Sequence, residues 1–114
     1  MNPQEIYDTV KEHLLTQMEE SMHPVHKYCM YRNPSGLKCA VGCLIPDELY
    51  DPRMDNGGVS GKGLSLLLQE FSLPEWMLKN SGLLHALQRV HDATEPDAWR
   101  EGLQTVARTY GLET

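Results

Sequence analysis

Residues 28–50 read YCMYRNPSGLKCAVGCLIPDELY, and this stretch decides how the chain is understood. It holds all three cysteines, Cys29, Cys39 and Cys43. Tyr28 to Arg32 alternates in a strand-like way, and Asn33-Pro34-Ser35-Gly36 has the residue order of a type I turn. Leu37 onward is placed to pair back, so a small β-hairpin is expected here. The run Cys39-Ala40-Val41-Gly42-Cys43-Leu44-Ile45 suits either a buried strand or a short buried helix. A short helix is favoured, which sets Cys39 and Cys43 on one face. Pro46-Asp47-Glu48-Leu49-Tyr50 reads as a further helical turn closed by Pro52.

Outward from this stretch the texture is helical. Asn2-Pro3-Gln4-Glu5 is a helix start, with Asn2 as cap, Pro3 in the first turn and Glu5 reaching back. Ile6, Val10, Leu14 and Met18 recur at i+4, with Leu15 widening the stripe, so a helix of about five turns is expected to run toward Pro24. Residues 55–58 and the glycines that follow read as a flexible loop. Leu64, Leu67, Leu68 and Phe71 mark a second helix. Pro74-Glu75-Trp76 opens a short third one capped by Ser72, and Ser81 caps a fourth whose Leu83, Leu84, Leu87 and Val90 face inward. Trp99, Leu103, Val106 and Tyr110 form the stripe of the last, with Gly111 at its end. The expected fold is mainly α, of α+β type: about five helices and one small hairpin inserted after the first, in a single domain over residues 1–114.

A net charge of −6 on 114 residues argues against non-specific nucleic-acid binding, which needs a basic footprint. No apolar run is long enough to span a bilayer and no secretory leader is evident, so a cytoplasmic protein is expected. An odd number of cysteines does not suggest a disulfide framework. An apolar fraction of 40% gives a modest core, which self-association would extend, so a homo-oligomer is expected.

The acidic charge is unevenly spread. No Asp or Glu occurs between Glu20 and Asp47, whereas His23, His26, Lys27, Arg32 and Lys38 lie there. Such a window suits a small anion. Arg32 and Lys38 flank the turn, Tyr28 and Tyr31 lie beside them, and Arg53 and Lys62 stand across the glycine loop; these six form the expected ligand-binding set. The competing reading is a hairpin whose charged tip keeps its edge soluble. Strict alternation would direct Tyr28, Met30 and Arg32 to one face and Cys29 and Tyr31 to the other.

Two further chemistries fit the residue types. His26-x2-Cys29 followed by Cys39-x3-Cys43 offers four ligands in two close pairs, the way structural zinc sites are built, although the mixed ligands and the x3 spacing depart from the usual pattern. The alternative is that Cys39 and Cys43 are small buried residues. Cys39 with His91 offers a thiol nucleophile and a base. Asp92 is next to His91 in sequence, about 100° away around a helix, and is not expected to orient it. The segment Gly57-Gly58-Val59-Ser60-Gly61-Lys62-Gly63 lacks the strand and the Lys-[Ser/Thr] ending of a phosphate loop and reads as a lid. No cofactor is expected.

The order of motifs carries a resemblance. It runs from the cysteine before Tyr31-Arg32 to Gly36-Leu37-Lys38-Cys39-Ala40-Val41-Gly42, then Leu44-Ile45-Pro46-Asp47-Glu48, Leu87-Gln88-Arg89-Val90-His91-Asp92, Trp99, Val106-Ala107 and Gly111-Leu112. This resembles a family of small uncharacterised proteins encoded in bacteriophage and bacterial genomes. The resemblance implies a phage or prophage origin and assigns no reaction and no catalytic residue. Together with the basic window it leads to an expected function: a non-enzymatic binding protein that sequesters a nucleotide-like immune signal as an anti-defence protein in the bacterial host. The alternatives are a small thiol- or zinc-dependent hydrolase and a protein–protein inhibitor of a host factor.

Overall fold

The computed structural model describes residues 1–55 and 64–114. The expected lid, with Lys62, and the side chain of Leu68 lie outside the described residues. Helices α1 (Pro3–Gln17), α2 (Leu64–Glu70), α3 (Ser81–Ala93) and α4 (Trp99–Tyr110) are joined by 3-10 turns at Asp47–Leu49, Pro52–Asp55 and Pro96–Ala98. The chain is mainly helical. The five full helices expected become four among the described residues, because Glu75–Lys79 is only a five-residue turn of helix.

Helix α1 starts as its sequence dictates. Asn2 Oδ1 accepts from the Glu5 amide at 2.8 Å and Glu5 Oε1 accepts from the Asn2 amide at 2.9 Å, which satisfies two otherwise unpaired donors. Ile6, Tyr7, Val10 and Leu14 are buried. The helix stops at Gln17, well short of Pro24, with Met18 in the left-handed region at φ 51°. Gln17 closes onto the backbone of Lys38: its Oε1 accepts from the Lys38 amide at 3.0 Å and its Nε2 donates to the Lys38 carbonyl at 2.9 Å. A longer helix would carry the chain away from this contact.

Helices α3 and α4 supply the other half of the core. Leu83, Leu84, Leu87 and Val90 of α3 meet Trp99, Leu103, Val106 and Ala107 of α4, and α1 packs across both. Gly102 permits the close approach, since a Cβ there would sit 3.1 Å from Val90 Cγ1. Tyr110, expected on the buried stripe, is exposed. Two expected caps are absent. Ser72 has φ 50° and Pro74 takes the cap position before Glu75, while Asn80 precedes α3 without a side-chain cap.

The expected hairpin does not form. Its turn is present: the Gly36 amide donates to the Asn33 carbonyl at 3.0 Å, and Asn33 Oδ1 accepts from the amides of Ser35 and Leu37. Pairing beyond the turn is a single bridge, Arg32 with Lys38, and a second isolated bridge joins Met22 to Cys29. The reason lies in where the backbone donors go. The Tyr31 amide, which in a ladder would donate to the Cys39 carbonyl opposite it, donates instead to the Asp55 carboxylate at 2.6 Å, and the Cys39 carbonyl accepts from the Cys43 amide at 3.1 Å. No ladder can grow from groups already used. The expected short helix over 39–45 is likewise reduced to one turn, closed by the Cys43 amide on the Cys39 carbonyl at 3.1 Å. That turn lies on the Tyr31 backbone so closely that a Cβ on Gly42 would stand 1.9 Å from the Tyr31 carbonyl oxygen.

Because backbone cannot yield as a flexible side chain can, Gly42→Ala should cost about 3 kcal/mol or more, at or above the upper end of ordinary overpacking. Gly36 meets nothing within 4 Å but has φ 87°. Gly36→Ala should therefore cost only about 1 kcal/mol. Urea unfolding of the two variants beside the parent checks this order.

Candidate functional site

The basic window of the sequence is not basic in space. Arg32 Nη1 lies 2.8 Å from Asp47, its Nη2 donates to the Ile45 carbonyl at 2.6 Å, and its guanidinium sits 4.7 Å from the centre of the Tyr50 ring. With a side chain 17% exposed, Arg32 is committed to the fold. Lys38 Nζ shares the same Asp47 carboxylate at 3.8 Å. Behind them Asp55, itself buried, accepts from Tyr31, Arg32 and the Tyr50 hydroxyl. Tyr31 is a core residue at 1% exposure and has no surface to offer a ligand. Arg53 holds Asp51 with Nη2 at 2.7 Å and lies over the Phe71 ring at 5.5 Å, still largely exposed. Of the six expected binding residues, Tyr28 and Arg53 are brought to one place, Arg32 and Lys38 meet at Asp47, Tyr31 is interior, and Lys62 lies outside the described residues.

Tyr28 and Arg53 line an open groove of about 410 Å³ together with His23, Met30, Pro34, Pro52 and Asp55. Its wall is the 23–28 loop. The His23 amide donates to the Tyr28 carbonyl at 2.7 Å and the Lys27 amide to the His23 carbonyl at 3.1 Å, with Lys27 at φ 58°. His23 Nδ1 accepts from the amides of Val25 and His26 at 3.1 and 3.0 Å. A nitrogen that accepts two N–H groups carries no proton, so the neutral ring has its hydrogen on Nε2. The rings of His23 and His26 lie 4.8 Å apart and those of His23 and Tyr28 4.9 Å, while His26 and Tyr28 stack within 3° of parallel. The groove is thus furnished with an aromatic face, an imidazole set as a donor and a guanidinium, beside the Asp55 carboxylate, whose oxygens already accept from Tyr31, Arg32 and Tyr50.

The cysteines do not assemble as either sequence reading expects. Cys39 is fully buried, accepts from the Gly42 amide at 3.3 Å, and has a thiol pushed well up by burial. Cys43 donates to the Ala40 carbonyl at 3.1 Å, and burial raises it to about 12. His26 is in the loop stack, exposed, and Cys29 points elsewhere, to Asp92, so the His26, Cys29, Cys39 and Cys43 quartet is not formed. What the fold does gather is Cys29, His91 and Asp92, whose ligand-type atoms lie within 4.8 Å of one another.

His91 is fully buried and both its nitrogens are in use. Nε2 accepts from the Ser21 amide at 3.0 Å, so Nδ1 bears the hydrogen and donates to Asp92 Oδ1 at 2.8 Å. Asp92 therefore does orient His91, against the sequence expectation. Although the side chains leave the helix in different directions, near the end of α3 the carboxylate reaches the ring. Asp92 Oδ1 also accepts from Gln88 Nε2 at 2.9 Å, and Gln88 Oε1 accepts from the Val41 amide at 2.9 Å. A metal on Nδ1 would require the hydrogen on Nε2, where the Ser21 N–H already points. A base needs a free lone pair, and His91 has none. The signal for this network was present: Leu84, Leu87, Gln88 and His91 fall at i, i+3, i+4 and i+7, which places two polar residues on the inward stripe.

No protein-family model, curated protein or solved structure matches this chain. Among the described residues no helix is long and apolar enough to cross a membrane.

The protonation pattern predicts that purified protein holds less than a tenth of an equivalent of zinc and takes up none on titration; one zinc per chain by elemental analysis would overturn it. The thiols predict a pH effect. Cys29 and Cys43 are raised from an ordinary 9.0 to about 12, so the unfolded chain loses those protons first. Their contribution is complete below pH 9 and is lost as pH rises toward 12, by at most about 1.4 kcal/mol per pH unit for Cys43 and by less for the half-buried Cys29, which solvent screens. Urea midpoints should fall across that window, less so in Cys43→Ala measured against its own neutral value.

Proposed function

We propose that this chain is a non-enzymatic binding protein for a small, flat, anionic molecule of nucleotide kind, held at the groove between the 23–28 loop and Arg53. The observation that carries this reading is the furnishing of that groove. His23 lines it with Nδ1 already used, so what the ring has left to give is its Nε2 hydrogen, and Tyr28 and Arg53 line the same groove. An aromatic ring supports a base, and N–H donors match phosphate oxygens. Catalysis is disfavoured on the same grounds: the thiol of Cys39 is interior and raised, and His91 has no free nitrogen.

The resemblance to phage-encoded proteins supplies a setting. In the cytoplasm of an infected bacterium, a protein that holds a nucleotide-like immune signal unchanged blunts the defence by sequestration. Self-association belongs to the same proposal; exposed Tyr110 on α4 and Met18 beyond α1 are apolar groups that a second copy would cover.

The test is direct. Cyclic and linear nucleotides are titrated calorimetrically, and any molecule released by heat from purified protein is identified by mass spectrometry. Tyr28→Ala and Arg53→Ala should each weaken binding roughly tenfold, as loss of a stacking face or a charge-assisted hydrogen bond does. Lys11→Ala on α1 should do nothing. Arg32→Ala should lower stability instead, because it strips Asp47 and the Ile45 carbonyl of their partner. A nucleotide returned hydrolysed would replace this reading by an enzymatic one.

A further inference from the structure

The 23–28 loop stands on a short foot. The Met30 amide donates to the Ser21 carbonyl at 2.8 Å, Met22 bridges to Cys29, and the His23 amide closes onto Tyr28. Ser21 is fully buried, and its amide is the group that donates to His91 Nε2. One neutral imidazole on α3 therefore anchors the base of a loop far from it in sequence.

That anchor works in one protonation state. A second proton has only Nε2 to occupy, and there the Ser21 N–H already points at the nitrogen. Two donors would face each other in the interior, so one must withdraw.

The groups around His91 pull both ways. On its own helix, the Asp92 carboxylate at Nδ1 favours the imidazolium, while Gln88 is a neutral donor to that carboxylate. From the segment after α1, Glu20 adds negative charge and Ser21 opposes with its amide. Cys29 meets Asp92 as a neutral thiol. From α1, His13 acts against a second positive charge when it is itself protonated. From α4, Trp99 stacks on the ring at 5.4 Å and carries no charge; Glu95, before that helix, acts by its charge on Glu20. A proton at Nε2 would meet the Ser21 amide, which bears the consequence.

We infer that His91 is an acid-sensitive clasp: protonation at Nε2 detaches Ser21 and loosens the 23–28 loop while the helical core stays folded. This stands apart from the ligand reading, because it is a property of the free protein.

The experiment is amide exchange and 1H–15N shift measurement on the uniformly labelled, ligand-free chain from about pH 8 to about pH 5, where histidine titrates. After correction for the intrinsic pH dependence of exchange, protection at Ser21 and Met30 should fall roughly tenfold or more, with Leu87 and Leu103 unchanged. His91→Gln offers an amide oxygen to Ser21 and cannot titrate, so its Ser21 protection should be flat across the range. Asp92→Asn keeps an acceptor for Nδ1 and removes the attracting charge, so the transition should move to lower pH; this variant decides the matter if His91→Gln fails to fold. His13→Gln keeps a donor for the Lys38 carbonyl and removes a charge that opposes the imidazolium, so the transition should persist with its midpoint in place or higher. Flat Ser21 protection in the parent, an unmoved midpoint in Asp92→Asn, or a transition abolished by His13→Gln would each overturn the clasp.

Discussion

A single buried carboxylate sets the irregular half of this molecule. Asp55 is 5% exposed, and a polar group so placed needs its hydrogen-bond partners supplied. It takes them from the Tyr31 and Arg32 amides and the Tyr50 hydroxyl. By doing so it occupies the edge on which a strand would have paired, holds Tyr31 inward and sets Arg32 beside Tyr50 and Asp47. The 39–45 turn then lies against Tyr31 with only a glycine between the two backbones. Remove the carboxylate and the amides of residues 31 and 32 lose their acceptors together.

Features that depend on neighbours in sequence were legible. The Asn2–Glu5 box, the Asn33–Gly36 turn and the inward residues of α3 each follow from residues within one or two helical turns of each other. What the sequence hid was competition for backbone groups. Residues 28–32 have strand-like alternation, yet a strand exists only if its amides are free, and their partner lies at position 55. The end of α1 was misplaced for the same reason, since it is decided at position 38. Local patterns record preference; they do not record which distant side chain arrives first at a donor.

The candidate site shows a related limit. A window without acids in the chain suggested a cationic surface, but Asp47 at its very edge folds back onto both Arg32 and Lys38. Conversely, Tyr28 and Arg53 come together across the chain with His23, which charge alone did not single out. Histidine here serves mainly as an adaptor for backbone groups. His13 reaches the Lys38 carbonyl, His23 takes two amides of its own loop, and His91 takes the Ser21 amide. In the last two the backbone contact, rather than a metal or substrate, selects which nitrogen keeps its hydrogen.

The ties between the irregular segment and α3 also bear on the order of assembly. Ser21 reaches His91 over 70 residues and Val41 reaches Gln88 over 47, whereas the contacts that build each helix are local. Closing loops of that length costs chain entropy before any bond repays it. Docking α1 on α3 and α4 closes loops at least as long, and residues 21–45 can lock only once α3 presents its polar row to them. The native bonds of this segment thus require α3 to be docked, and Cys29, Cys39 and Cys43 stay open to oxidation until it is.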